Sequence, residues 1–321
     1  MKPAPFEYHA PADAKEAVQL LAELGDGAKL IAGGQSLIPL LALRLAAFEH
    51  LIDLRKVSGL RGIEERASAV WVGAGTTEAA IGRSPLVAIK VPLLARATPL
   101  IGHFQIRNRG TIGGSLAHAD AAAEYPAVAL ALDAVIETLS PRGQRTIQAT
   151  EFFTGIWSTA LEPDELLTGV TFRVPGGRAG FAVEEFARRP GDFAVAGAAV
   201  AIELDADADG GADGLEARVS RCAIGLFGLG TTPLRASAAE ALAAGRTAGD
   251  LGTDAFGREI GQAAMADLDS VPSDLHGPAA YRTRVGAVMV TAAWRRAINE
   301  AVGQAVGYGH GETLGGEAAR G

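Results

Sequence analysis

The chain is poor in cysteine and in positive charge. Its 321 residues include a single cysteine, Cys222, and 29 Lys and Arg against 37 Asp and Glu, which gives a formal net charge of −8. One cysteine excludes an internal disulfide, and it excludes a four-thiolate zinc or iron–sulfur site within this chain. The acidic balance argues against a nucleic-acid-binding protein, because such a protein needs a basic face.

Long hydrophobic runs are also missing. The most apolar long stretch, residues 117–139, contains Asp120, Glu124 and Asp133, so we do not expect a membrane span there. The opening segment, MKPAPFEYHAP, has no apolar core of a secretory signal. The sequence therefore predicts a cytoplasmic protein.

Several common catalytic motifs do not occur. No lysine follows a glycine, so there is no Walker A loop; none of the six histidines lies in H-E-x-x-H, and no G-x-S-x-G is present. Gly73 and Gly75 follow a predicted strand, but Glu78 occupies the third glycine position of a dinucleotide fingerprint. Kinases, zinc proteases, common serine hydrolases and a Rossmann dinucleotide site are therefore not expected.

Glycine, by contrast, is abundant, and two segments concentrate it with hydroxyl side chains. These segments are Ala32–Ser36 (AGGQS) and Thr111–Ser115 (TIGGS). Glycine lets a ligand approach the main chain and permits positive φ, so that successive N–H groups can form an anion-binding concavity. The pair is suited to a diphosphate held mainly by backbone donors. Either segment alone is more often an ordinary tight turn, and the spacing alone does not name the ligand.

The order of predicted elements indicates two domains. Before the linker Pro175–Gly177, a helix capped by Asp13 and strands near residues 29–32, 50–54, 69–73, 135–139 and 167–174 are expected. After it, three strands within residues 181–227 precede three helices, which is typical of an α+β domain. We predict a first domain over residues 1–176, a second over 177–306 and a flexible tail over 307–321.

Three longer motifs identify a family. The segments Ala32–Ser36, Ile101–Asp120 (IGHFQIRNRGTIGGSLAHAD) and Arg188–Ala194 (RRPGDFA) occur in order and at family spacing. The chain resembles the FAD-binding medium subunit of molybdenum hydroxylases, of the aerobic carbon monoxide dehydrogenase and xanthine dehydrogenase kind. The resemblance extends from about Phe6 to Gly303.

The resemblance implies an α+β fold. Its first part would be the two-subdomain FAD-binding fold of the vanillyl-alcohol-oxidase (PCMH) type, divided near residues 55–60. A small α+β C-terminal domain of the carbon monoxide dehydrogenase flavoprotein type would follow. FAD would lie extended between these parts.

The resemblance also implies which residues bind FAD. The pyrophosphate would be held by Leu30, Ile31, Ala32, Gly33, Gly34, Gln35, Ser36, Thr111, Gly113, Gly114 and Ser115. The flavin end would meet Ile101, Gly102, Asp192 and Phe193. Asp120 and Glu124 would be polar contacts near the ribityl or phosphate region, and Leu167 would contact the adenine side. His118 flanks the second glycine segment and is a further candidate contact, although loop histidines are more often solvated or bonded to the backbone.

Two of these positions depart from the family pattern. Carbon monoxide dehydrogenase medium subunits commonly have His in place of Gln35 and Tyr in place of Phe193. Phe193 keeps an aromatic ring and loses a hydroxyl, which bears on flavin potential and acceptor access and weakens an assignment to carbon monoxide. No His or Cys is placed for a covalent flavin link, so noncovalent FAD is predicted.

The function implied by the resemblance is electron transfer. Substrate would be oxidised at a molybdenum cofactor on a large subunit, and electrons would pass through two [2Fe–2S] clusters on a small subunit to FAD and then to an external acceptor. The assembly would be a dimer of heterotrimers. No side chain of this chain is assigned as a catalytic group or a metal ligand. A self-contained flavin oxidoreductase and an FAD-free assembly subunit remain alternatives.

The remaining candidates have ordinary structural interpretations. His9, His50, His276 and His310 are scattered along the sequence and are expected to be structural or exposed. Cys222 lies in an apolar segment and is expected to be a buried, inert thiol. Trp71 and Trp157 are expected in cores, and Trp294, beside two arginines, at the surface.

Overall fold

In the computed structural model the described residues are 2–205, 214–266 and 268–303. The predicted flexible tail, residues 307–321, lies outside them.

The first subdomain is a small parallel sheet with two helices. Its elements are β1 Glu7–His9, α1 Ala14–Leu24, β2 Ala28–Ile31, α2 Leu37–Ala42 and β3 His50–Asp53. The strand order is β1-β3-β2. Asp13 caps α1 by accepting the N–H of Glu16, as the sequence predicts, and Glu16 reaches back to accept the N–H of Ala12, one residue before the cap. Gly25 ends the helix with φ +57°.

The second subdomain is an antiparallel sheet carrying several short helices. Its elements are β4 Ile63–Arg66, β5 Ala69–Gly73, α3 Glu78–Gly82, α4 Pro85–Lys90, α5 Pro92–Ala97, α6 Phe104–Arg107, α7 Ile112–His118, α8 Glu124–Ala131, β6 Val135–Ser140, β7 Gly143–Gln148, α9 Ala149–Phe152, β8 Phe153–Gly155, β9 Ser158–Thr159 and β10 Leu166–Arg173. The main sheet has the order β4-β5-β10-β6-β7, and β8 pairs with β9.

The C-terminal domain is a four-stranded antiparallel sheet covered by helices. Its elements are β11 Ala179–Phe186, β12 Ala196–Leu204, β13 Val219–Phe227, β14 Leu234–Arg235, α10 Ser237–Ala243, α11 Ala248–Leu251, α12 Asp254–Ala266 and α13 Ala279–Ala301. Helix α13 approaches the sheet so closely that a Cβ on Gly180 would lie 1.8 Å from Ala297 O. The strands-then-helices order therefore gives the α+β domain that the sequence predicts.

Helix α8 joins the two domains. All eight of its residues are buried, and a Cβ on Gly225 of β13 would lie 2.2 Å from the carbonyl oxygen of Ala127. A helix buried on every side shows no amphipathic period, which is why the sequence pattern did not predict it. The helix begins at Glu124, so its burial takes a carboxyl group into the interior.

Two tryptophans differ from the sequence expectation. Trp294 is fully buried, packs on Phe256 with ring centroids 5.4 Å apart, and donates its indole N–H to Leu251 O at 3.0 Å. Trp157 is 65% exposed with φ +50°. Trp71 is buried in the expected way. Helix α12 covers one side of Trp294, a long-range contact that the neighbouring arginines do not reveal.

None of the helices in the part of the chain that the structure describes is both long and apolar enough to cross a bilayer.

Candidate cofactor site

The two glycine segments lie side by side. A Cβ on Gly33 would be 2.3 Å from Arg109 O and 2.8 Å from the Cα of Gly110, so only glycine allows this backbone contact. Farther along, a Cβ on Gly114 would lie 3.4 Å from the Cβ of Ala32. The fold therefore brings together two segments that are almost eighty positions apart in the sequence.

The first segment is an open bend between β2 and α2. Gly34 has φ +74°, a left-handed conformation that glycine adopts readily. The side-chain amide of Gln35 donates to Gly33 O at 3.0 Å and stabilises the bend. Within the described parts of the chain, the main-chain N–H groups of residues 33–36 donate to no protein acceptor. These residues are half-buried. Four clustered, unpaired N–H groups offer an anion a ready set of donors.

The second segment is the first turn and a half of α7 and not an open loop. Thr111 caps the helix by accepting the N–H of Gly114 at 3.1 Å, while Gly113 donates its N–H to Ala74 O at 2.9 Å. A Cβ on Gly113 would lie 2.6 Å from the Cβ of Ala74. These glycines thus permit helix–strand packing, and the amides from Ile112 to Ser115 are already bonded. The first segment carries the free donors.

The turn that contains Asp192 and Phe193 packs on Gly102. Gly191 has φ +84°, and a Cβ there would lie 2.8 Å from the ring of His103 and 3.1 Å from the carbonyl carbon of Gly102. The structure therefore brings the two predicted flavin-side segments into contact. Phe193 leaves 62% of its surface exposed beside this junction.

Arg107 stabilises the turn at Ile101 and Gly102 through hydrogen bonds to its carbonyl groups. Its Nη1 donates to Ile101 O at 2.8 Å and to Gly102 O at 2.7 Å. Charged donors make strong hydrogen bonds to carbonyls, so this side chain fixes the turn. From the sequence alone, Arg107 and Arg109 are equally compatible with attracting a phosphate or a partner acid and with a solvated loop, and nothing local distinguishes the two.

His118 and Asp120 sit at the end of α7. The Nε2 of His118 lies 4.0 Å from Oδ2 of Asp120, and its ring stacks on Trp157 with centroids 6.3 Å apart. Asp120 accepts the N–H of Ala122 at 2.9 Å. Burial of the imidazole lowers the pKa of His118 in spite of the Asp120 carboxylate. Exposed Trp157 is thus a cover for this histidine and not a core residue.

Two buried carboxyl groups, those of Glu78 and Glu124, and the half-buried carboxyl group of Glu185 lie near these segments. Burial raises the pKa of Glu124 to about 7; burial and the charge of Glu124 raise the pKa of Glu78 to about 7 and that of Glu185 to about 8. One oxygen of Glu78 and one of Glu185 are buried without a hydrogen-bond partner among the described residues. The sequence identified Glu124 but missed Glu78 and Glu185, because only the tertiary packing buries them.

Leu167 is placed differently from the other predicted residues. Its side chain is 4% exposed and belongs to the hydrophobic core beneath β10. Its neighbour Thr168 accepts the N–H of Ala74 at 3.0 Å, and Ala74 in turn accepts the N–H of Gly113. Leu167 is therefore connected to the second glycine segment through the main chain, while its side chain faces the core.

Comparison with known proteins identifies both halves of the chain. Residues 4–175 match the model of the FAD binding domain in molybdopterin dehydrogenase, and residues 181–297 match that of the CO dehydrogenase flavoprotein C-terminal domain. The medium chain of carbon monoxide dehydrogenase from Hydrogenophaga pseudoflava is 40% identical over 92% of this chain and 99% of its own length. A subunit alpha of the 6-hydroxypseudooxynicotine dehydrogenase complex from Paenarthrobacter nicotinovorans is 39% identical over 94% of this chain and 97% of its own.

Solved structures give the same result. Carbon monoxide dehydrogenase from Hydrogenophaga pseudoflava superposes with a TM-score of 0.86 and 40% identity, covering 94% of this chain and 99% of that one. Quinoline 2-oxidoreductase from Pseudomonas putida 86 superposes with a TM-score of 0.84 and 34% identity, covering 94% and 100%. These matches confirm the resemblance, the fold class and FAD as the cofactor. The chain belongs to the family of FAD-binding medium subunits of molybdenum-containing dehydrogenases of the carbon monoxide dehydrogenase type.

Proposed function

We propose that this chain is the electron-transfer subunit of a heteromeric molybdenum hydroxylase. It takes electrons from [2Fe–2S] clusters of a small partner subunit and passes them to an external acceptor, while a large partner subunit holds the molybdenum cofactor and oxidises the substrate. The assembly is a dimer of heterotrimers in the cytoplasm. The single cysteine supports the placement of the clusters on another subunit, because each cluster needs several thiolate ligands and this chain has only one cysteine.

The observation that carries the proposal is the bend at residues 33–36. Its four N–H groups are unpaired within the described chain, and Gly34 needs the left-handed conformation that shapes the bend. The hydroxyls of Ser36 and Ser115 lie on the two adjoining segments and add neutral donors. No lysine lies in either segment, so the main chain provides most of the grip on the FAD pyrophosphate.

The other predicted contacts are assigned around this bend. Leu30, Ile31 and Ala32 lead into it, and Gln35 closes it. Ile101, Gly102, Asp192 and Phe193 face the flavin end, and His118, Asp120 and Glu124 the middle. Leu167 lies on the adenine side and contributes there through its main chain, because its side chain faces the core. FAD is held without a covalent bond. When bound, it can exchange electrons one at a time or in pairs. The chain's own groups bind and orient it and exclude water.

The test is a mixing experiment with the separately purified small subunit. After chemical reduction of its clusters, the flavin absorbance of this chain is expected to bleach, and an added quinone should restore it. A colourless chain that takes up no FAD, alone or in the complex, would support an FAD-free assembly subunit. Substrate turnover by this chain without partners would support a self-contained oxidoreductase.

A further inference from the structure

Three potential metal ligands share one face of the first subdomain's sheet. Glu7 and His9 alternate along β1, so their side chains leave the same face of the strand. The parallel register pairs Glu7 with His50 of β3. All three side chains therefore converge at the end of these two strands, although 41 positions separate His9 from His50. Because of that separation, no local motif marks the cluster.

The distances between the ligand atoms match a tetrahedral site. The Nε2 of His9 lies 3.2 Å from the Nδ1 of His50, and that Nδ1 lies 3.5 Å from an Oε2 of Glu7. The three atoms all lie within 4.8 Å of one another. A tetrahedral Zn²⁺ with bonds of about 2.0–2.2 Å separates its ligands by about 3.3–3.6 Å. Octahedral geometry at the same bond lengths brings adjacent ligands to about 3 Å, which fits less well.

The surroundings leave room for an ion. The side chain of His50 is 19% exposed and that of Glu7 is 75% exposed, so one side of the cluster faces solvent. The ring of His50 packs against Gly27, where a Cβ would lie 3.8 Å from it. The imidazole is thus fixed while water can fill the fourth position. Two imidazoles and one carboxylate form a ligand set that suits Zn²⁺.

We propose that Glu7, His9 and His50 form a Zn²⁺-binding site that fastens β1 to β3. Strand β1 has three residues and lies at the edge of its sheet. An ion shared between the two strands restrains the N-terminal segment where the sheet hydrogen bonds are few. The competing explanation of the short His9–His50 distance is a direct hydrogen bond between the rings, which needs no ion.

The experiment uses the full chain, freed of metal by chelation and titrated with Zn²⁺ or with Co²⁺ as a spectroscopic probe. One ion per chain is expected, with the visible absorption of tetrahedral Co²⁺ and a rise of the unfolding temperature with Zn²⁺. His9→Gln and His50→Gln should each weaken binding at least about tenfold, since even the loss of an outer partner of a metal ligand costs that much.

Two further variants keep the test decisive. Glu7→Gln alters an exposed side chain, so weaker Zn²⁺ binding in that variant cannot be attributed to misfolding. His276→Gln removes a histidine outside the cluster and is expected to bind Zn²⁺ as the natural chain does. Absence of Zn²⁺ and Co²⁺ binding by the natural chain, or binding unchanged in all three cluster variants, overturns the proposal.

Discussion

The carboxyl group of Glu78 lies directly on Gly110. A Cβ added to Gly110 would come within 2.5 Å of Oε1 and 2.7 Å of Oε2, and the N–H of Glu78 donates to Gly110 O at 2.9 Å. Gly110 immediately precedes Thr111, the cap of α7. A Cβ added to Gly33 would lie 2.8 Å from the Cα of Gly110. A buried acid and the two glycine segments therefore form one packed unit.

Gly110→Ala is expected to destabilise the chain. The added methyl group has no space unless the buried Glu78 side chain or the main chain shifts, and such overpacking costs about 1–3 kcal/mol. Denaturant unfolding measures the loss in free energy of unfolding. Gly176→Ala is the matched control, because no atom lies within 4 Å of its Cβ position. Equal stability of Gly110→Ala and the natural chain would contradict the packing described.

Glu78→Gln is expected to change how stability depends on pH. The folded pKa of about 7 lies above the ordinary value of 4.5, so between these pH values the folded state keeps a proton that the unfolded state has released. The Glu78 carboxyl group therefore makes its full contribution to the free energy of unfolding below about pH 4.5, and this contribution is lost as the pH rises from 4.5 through 7. The full loss is on the order of 3 kcal/mol.

The Gln variant removes that loss, so it should gain on the natural chain between pH 5 and pH 8. Urea unfolding at several pH values measures the difference. Glu23→Gln, on the exposed side of α1, removes the same charge without touching the cluster and serves as control. If the two proteins differ by the same free energy of unfolding at every pH in this range, Glu78 is ionised in the folded as well as in the unfolded state, which would contradict the prediction.

Arg107→Met is expected to weaken FAD binding. It removes the charged donors that hold the carbonyls of Ile101 and Gly102, and each such bond contributes about 1.5–3 kcal/mol. Titration of the apoprotein with FAD, followed by flavin fluorescence, should show at least about tenfold weaker binding. Arg83→Met, at an exposed position after α3, should bind as before. Unchanged affinity in Arg107→Met would mean that the turn holds its shape without the guanidinium.

Trp157→Ala is expected to raise the pKa of His118 toward its ordinary value of 6.5. The indole stacks on the imidazole, and burial of that ring is the main cause of its lowered pKa. A proton NMR titration of His118 measures the change. Trp157→Phe keeps a stacked ring and should shift the pKa less. If the pKa of His118 stays equally low in Trp157→Ala, residues other than Trp157 bury the imidazole.

Local signals in the sequence were sufficient for the elements that they govern. The cap residue Asp13 marked the start of α1, and the glycine pair at Gly33 and Gly34 marked a bend whose shape needs a positive φ. The motif order identified the family. These features depend on a few adjacent residues, and so they can be read without the fold.

The features that the sequence missed depend on distant neighbours. Helix α8 is buried on all sides, so it has no polar face to mark it. Glu78 and Glu185 resemble surface acids until the fold covers them. The glycines of Thr111–Ser115 resemble a ligand loop, yet Gly113 serves packing against Ala74. Which glycine faces a ligand and which faces the protein is decided by tertiary contacts.

We propose that the free amides of residues 33–36 hold the FAD pyrophosphate. A crystal structure of the FAD-loaded chain or complex tests it most directly, through the distances from those four nitrogens to the pyrophosphate oxygens. We predict at least two distances in the hydrogen-bond range of about 2.7–3.2 Å. A pyrophosphate bound elsewhere, with these four amides facing solvent, would contradict the account.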